Sequence, residues 1–381
     1  MRKLAIIGAG PMAGIIANRA RELGIETHCF AWSKGASARD DMDFFHDVSV
    51  TEVDEIARMC EEIGIGGVVA TTELTVYPAA YVARGLGLTG LDPEVAAQIT
   101  NKYRNRERCK DVEGLSQPPY WLVRGPEDLE GVELTFPVIV KPTSEGGKRG
   151  VTVVPTRKEL ASALEYAEDE KKDSSDILVE GLLGEGIEYS VESLSFNGRH
   201  SIIQVTRKWS TGAPHCVEVG HHQPAPLPED IRLDVEHAVE RGLTAVGLTN
   251  GPCHTEVKIC DGKIYLIEFN ARPGGGHITF PLTELSTGYP YLTGIIETAF
   301  GNDVLPERSS LKRRYAGFCI VCEQTKWLKP VFDTCQNQKW CYEKHYVSEE
   351  LVTLQHNQGY TTNYIIYYDS DSRPSFLEGR V

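Results

Sequence analysis

The sequence predicts an α/β protein, α+β in part, of two or three domains. Three observations carry that expectation. The chain has 381 residues, more than one small core fills. It opens with a strand–glycine turn–helix–strand pattern around Gly8-Ala-Gly10. Far downstream it holds a hairpin, His254–Ile259 followed by Gly262–Asn270, whose second strand changes from aliphatic to Glu, Asn and Arg as it ends.

Composition narrows the function classes. Hydrophobic residues make up 41% and charged residues 24%, an ordinary globular balance. A formal charge of −15 argues against nucleic-acid or anionic-membrane partners, which are bound by clustered Lys and Arg. No apolar run approaches membrane-span length. The apolar segment 4–17 is broken by Gly-x-Gly and runs into a polar helix, so it is not read as a secretory leader. Ten cysteines without regular spacing read as free thiols in a reducing cytoplasm. Cys319 and Cys322 lie three apart in a strand-like run, where they face oppositely and make a poor metal pair.

In order, Leu4–Gly8 reads as a buried strand, residues 8–14 as a glycine turn, Ile15–Leu23 as a helix and Glu26–Trp32 as a strand. Gly8, Gly10 and Ala13 fit the dinucleotide fingerprint. NAD also needs an acid at the end of the second strand, where Ala31-Trp32-Ser33-Lys34 stands. Lys34 and Arg39 keep an NADP-dependent oxidoreductase as an alternative. Val53–Gly64 and Val76–Gly85 read as helices around the strand Gly67–Thr71; Glu73 sits at the mouth of that sheet, either a substrate contact or a surface acid. Asn101 starts a basic helix containing Lys102. The strand Phe136–Pro142 carries Lys141 at its end and is followed by Gly146-Gly147-Lys148. Glycines let backbone N–H groups curl toward an anion while the lysines add charge; the loop lacks the GxxxxGK[ST] pattern of a P-loop. Arg157–Lys171 reads as a polar helix and Ile177–Leu183 as a strand with Glu180, after which Glu188 follows a Gly-Glu-Gly turn. A loop rich in His, Trp and Lys (207–222) leads into prolines, and Asp230–Gly247 is an amphipathic helix. After the helix Tyr291–Phe300 and a polar boundary, strand-like runs Tyr315–Val321 and Tyr364–Tyr368 suggest a small β-rich cap.

Strand alternation puts Tyr265, Ile267, Phe269 and Ala271 on one apolar face of the hairpin, and Ile264, Leu266, Glu268, Asn270 and Arg272 on the other. The first strand offers His254, Glu256 and Lys258 on one face. A two-residue Asp261-Gly262 turn pairs Glu256 with Ile267 and separates the glutamates; a three-residue turn including Lys263 pairs Glu256 with Glu268. Like charges directly opposite destabilise a sheet, so the second arrangement requires a cation, and such hard oxygen donors suit Mg²⁺.

The run Glu256…Glu268-Phe-Asn270-Ala-Arg272 resembles the metal-and-phosphate signature of the ATP-grasp superfamily, and the remaining parts follow in that superfamily's order. The run 220–228, GHHQPAPLP, and the glycines after Arg272 are similar to those of L-amino acid (dipeptide) ligases within it. The resemblance implies a Rossmann-like pre-ATP-grasp domain over 1–100, an ATP-grasp domain over 101–305 with a mobile lid at about 115–185, and a C-terminal β-rich subdomain over 306–381. It implies that Lys102, Lys141, Gly146, Gly147 and Lys148 face phosphates, Glu180 and Leu182 the adenine, and Glu188 the ribose. Glu256, Glu268 and Asn270 would hold Mg²⁺ or Mn²⁺, Lys141 and Arg272 would be catalytic, and Glu73, His221, Gly275 and His277 would meet the acceptor. The expected activity is ATP-dependent joining of a small carboxylate to an amine through an acyl phosphate, releasing ADP and phosphate, in a cytoplasmic protein; homodimers are usual in the superfamily. Alternatives are a bicarbonate-using member such as carboxyaminoimidazole ribonucleotide synthetase and a non-catalytic nucleotide-binding protein.

Overall fold

The computed structural model describes residues 1–380 except 146–148, 172–174, 212–216 and 356–360. Its strands form three sheets.

The first sheet is parallel, with β1 (Lys3–Ile7), β2 (Glu26–Ala31), β3 (Phe44–Asp47) and β4 (Gly67–Ala70) in the order β3-β2-β1-β4. Successive side chains of β1 serve opposite layers. Leu4 and Ile6 pack with Ile16, Ala20 and the helix Tyr291–Ala299, whereas Ala5 and Ile7 pack with Ile56, Val82 and Ala83. The first helix begins at Pro11, not at Ile15, because proline's fixed φ suits the first helical position. Gly14 therefore lies inside that helix, where a Cβ would stand 2.4 Å from the Asp41 carboxylate. Likewise the helix Glu73–Gly85 starts three residues before the expected Val76. The Thr75 hydroxyl accepts the Thr71 and Thr72 amides at 3.0 Å each, tying the turn directly to the end of β4.

The second sheet is small and antiparallel: β5 (Tyr120–Val123), β6 (Val138–Pro142), β7 (Thr152–Val154) and β8 (Ile177–Gly181), ordered β5-β8-β6-β7. The helix Leu160–Glu170 covers it, and Val138, Val140, Ala163, Ala167 and Val179 make its own core.

The third sheet has eight antiparallel strands: β9 (Ile187–Phe196), β10 (Arg199–Ser210), β11 (Glu218–Gln223), β12 (Gly251–Cys260), β13 (Lys263–Asn270), β14 (Tyr315–Ile320), β15 (Cys341–His345) and β16 (Tyr364–Asp369). Their order is β13-β12-β9-β10-β11-β14-β16-β15. The helix Glu229–Val246 buries Val235, Val239 and Leu243 against Val191, Val205 and Leu266. Strand β14 hydrogen-bonds to β11, so the C-terminal segment continues the central sheet. Among the described residues, no helix is long and apolar enough to cross a membrane.

Candidate functional site

The hairpin β12–β13 is built differently from either expected version. Asp261 and Gly262 have φ of 49° and 70° and make a two-residue turn, with Cys260 opposite Lys263. Yet Glu256 stands directly opposite Glu268, because the register slips by one between Val257↔Leu266 and Glu256↔Glu268. Ile267 is the extra residue of a β-bulge, which supplies the offset that the three-residue turn assigned to the loop. The bulge also corrects the expected faces. Ile264 and Leu266 share the core with Phe269 and Ala271, while Tyr265 and Ile267 are only half-buried. An inserted residue reverses which parity points inward.

The acid pair is surrounded by cations. Glu256 Oε1 accepts from Lys208 Nζ at 2.8 Å and meets His254 Nε2 at 3.3 Å. Lys102 Nζ lies 3.4 Å from Glu268, and the Asn270 amide donates to Glu268 at 3.0 Å. Burial alone would raise both carboxyl pKa values, but Lys208 and His254 hold Glu256 well below its ordinary value, and Lys102 holds Glu268 down. Arg272 donates to Glu73 at 2.7 Å and to the Pro273 carbonyl at 2.9 Å. Glu73, Lys102, Glu268 and Asn270 line one open cleft of about 280 Å³, with Ser144 and Glu145 on the side leading to the glycine loop. Gly146, Gly147 and Lys148 of that loop lie outside the described residues.

On the lid side, Lys141 at the end of β6 is ion-paired with Glu180 of β8. The other Glu180 oxygen accepts from Arg106 Nε at 2.6 Å. Burial pushes the Lys141 ammonium below its usual range; it also opposes charge on Glu180, but Lys141 and Arg106 together bring that carboxyl to about 2. Glu180 is thus enclosed by two cations. Leu182 is 40% exposed just beyond it, its amide bonded to the Pro137 carbonyl at 3.1 Å. Glu188 is exposed on β9, opposite Lys258.

Toward the acceptor side, His221 meets the Gly276 carbonyl at 2.7 Å and Glu218 at 3.1 Å, and Glu218 reaches Lys208 at 2.7 Å. Alternation sends neighbouring His222 elsewhere: fully buried, it bonds the Tyr367 hydroxyl at 3.0 Å. His277 packs against the rings of Phe318 and Tyr364, with centroids 4.6 and 4.9 Å apart, and burial lowers its pKa to about 3. The glycine run is tightly constrained at two points. A Cβ on Gly274 would meet His254 at 2.6 Å, and one on Gly276, at φ 58°, would meet His221 at 2.7 Å; Gly275 faces open space.

Sequence reasoning missed Glu192 and Arg106. Glu192 is fully buried on β9 opposite His254, ion-paired with it and accepting from the Gly274 amide and the Thr279 hydroxyl, each at 3.3 Å. Burial disfavours a charged His254, but Glu192 and Glu256 outweigh it and raise the imidazole to about 9. Its place four residues after Glu188 on the same strand, and so on the same face, was the available signal for Glu192. For Arg106 the signal was its place one helical turn after Lys102.

The paired acids come from the central antiparallel sheet, with Lys102 of a helix beside Glu268, and Lys141 of the smaller antiparallel sheet is paired with Glu180. Residues 134–280 match the family model described as the ATP-grasp domain, and the chain has the ATP-grasp fold. More particularly, it is similar to the crystal structure of L-amino acid ligase from Bacillus licheniformis, with a TM-score of 0.81, 23% identity, and coverage of 97% of this chain and 94% of that one. It is 29% identical over 223 residues to D-alanine–D-alanine ligase of Actinobacillus pleuropneumoniae serotype 5b, covering 57% of this chain and 72% of the relative. It is 26% identical over 287 residues to the carbamoyl phosphate synthase large chain of Pseudothermotoga lettingae, covering 71% of this chain and 24% of the relative. The chain thus spans less than half the length of some curated relatives it matches, 46% in one case and 24% in another.

Proposed function

We propose that this chain is an ATP-dependent ligase that activates a carboxylate as an acyl phosphate and joins it to an amine, with amino acids as the substrate class. The observation that carries this reading is the acid pair, Glu256 directly opposite Glu268, with Lys102 beside Glu268 and Asn270 lining the same cleft. Two carboxylates and a carboxamide are hard oxygen donors of the kind Mg²⁺ or Mn²⁺ takes, so the residues present fit such an ion. When bound, it would offset the charge between the nucleotide phosphates and an approaching carboxylate. Glu256, Glu268 and Asn270 would hold the ion. Lys102 and Lys141 would take up phosphate charge, and Lys141, already desolvated, would do so at low dielectric cost. Arg272 would neutralise the oxyanion developing at the activated carboxyl, exchanging its contact with Glu73 for one with substrate. Leu182 and Glu188 would meet the nucleoside.

On this reading residues 1–100, 101–305 and 306–381 act as the pre-ATP-grasp, ATP-grasp and C-terminal parts, with the lid at about 115–185. Glu73, His221, Gly275 and His277 would border the acceptor. ADP release should be scanned over paired amino acids, with bicarbonate plus a ribonucleotide amine as the contrasting arm. ADP appearing only with particular amino acid pairs supports the reading; release confined to the bicarbonate arm replaces the substrate class, and none in either arm overturns it.

A further inference from the structure

The guanidinium of Arg106 is 1% exposed and lies where three separate parts of the site meet. Its helix, Lys102–Cys109, is capped by the Asn101 side chain, which accepts the Arg104 amide at 3.0 Å. One turn after Lys102, Arg106 turns inward. Its Nε donates to Glu180 at 2.6 Å, so it shares that carboxylate with Lys141 of the lid sheet. Its Nη2 donates to the Ile267 carbonyl at 3.2 Å. Ile267 is the bulge residue of β13, the extra residue that sets Glu268 opposite Glu256. A bulge residue drops out of the regular ladder, and β13 is the last strand of its sheet. The carbonyl therefore needs a donor from outside the sheet, and Arg106 is that donor. In an unshifted ladder Ile267 would oppose Glu256, and Glu268 would turn toward the layer of Leu266 and Phe269.

We infer that Arg106 is a positioning residue: it holds the bulge that aims Glu268 at Glu256, and through Glu180 it ties the lid lysine Lys141 to the same point. The inference rests on the nucleotide-and-metal reading of the acid pair for its functional consequence, but its structural half does not. This link between the strand carrying Glu268 and the strand carrying Glu180 fixes the separation of Lys141 from the acid pair.

The test compares Arg106→Met, which keeps the length and removes the donors, with Arg106→Lys, which keeps one charge, and with Cys109→Ala, a buried change on the same helix away from the site. Mn²⁺ binding in the presence of ADP is measured by electron paramagnetic resonance. Amide hydrogen exchange over residues 263–270 is measured without nucleotide or metal. Arg106→Met should weaken Mn²⁺ about 10–100-fold, the range for removing a group that orients a metal ligand, and should speed exchange across the bulge. Arg106→Lys should recover part of both, and it carries the comparison should the Met variant not fold. Cys109→Ala should lower the melting temperature with Mn²⁺ affinity unchanged. Wild-type-like Mn²⁺ binding and exchange in Arg106→Met overturn the inference, as does an equal Mn²⁺ loss in Cys109→Ala at an equal loss of melting temperature. Should the unaltered chain hold no Mn²⁺ with ADP, the nucleotide reading falls, and the exchange arm still decides whether Arg106 holds the bulge.

Discussion

Glu268 and Arg272 separate chemistry from stability, because both side chains keep some exposed surface, 22% and 17%. Glu268→Gln keeps the shape and removes the charge; Arg272→Ala removes a guanidinium whose protein partners are Glu73 and one carbonyl. Both should cut ADP release by about 10²–10³-fold or more, with far-ultraviolet circular dichroism and melting temperature close to wild type. Near-normal turnover in either variant refutes the assigned roles. Glu180 behaves oppositely. Removing one partner of a buried ion pair leaves uncompensated charge, so Glu180→Gln should cost about 3–5 kcal/mol in denaturant melts. Its carboxyl titrates at about 2 in the folded chain, below the ordinary 4.5, so its charge contributes fully above pH 4.5 and fades as the pH falls toward 2. The stability gap between wild type and Glu180→Gln should narrow over that window. From sequence, Glu180 was read as the acid ending the adenine-hinge strand; its ion-pair partners come from 39 and 74 positions away in the chain, a pairing that no local pattern records.

At the scale of elements, the hairpin shows what a sequence conveys and what it withholds. The acids, their strands and the Asp-Gly turn were readable, since alternation and turn chemistry are local. The bulge was not: it depends on an edge strand meeting an arginine more than 150 residues earlier. The apolar face was misassigned for the same reason. The early helix start at Pro11 was readable from proline's own geometry, yet the neighbouring glycines outweighed it. For the segment after Arg272, the two constrained glycines predict an ordered series. Gly276→Ala combines a left-handed backbone with a close approach to His221, so it should lower the melting temperature by several degrees. Gly275→Ala meets nothing and should melt like wild type, while raising the KM for the acceptor because the added methyl projects into open space beside it. A wild-type KM for Gly275→Ala removes this position from the acceptor site.

For the whole molecule, the nucleotide reading predicts linkage between binding and stability. Mg²⁺ with ADP at about 100 times its Kd should stabilise the chain by roughly 2.7 kcal/mol, measured as a rise in melting temperature, and Glu268→Gln should abolish the rise. The strands of the parallel sheet and of the small antiparallel sheet were mostly legible, but the run 207–222, expected to be a loop, begins in β10 and ends in β11 of the central sheet. The joining of β14 and its partners to β11 was not legible, since edge pairing between distant strands leaves no trace in either one.

Lys102, Lys208 and His254 face the acid pair. Resident ammonium and imidazolium groups thus play the part of a counter-ion to the two carboxylates. A chelator should accordingly leave the melting curve of the bare protein where it was and erase only the increment that nucleotide adds: unlike a zinc-stapled fold, this one would survive demetallation and merely fall silent.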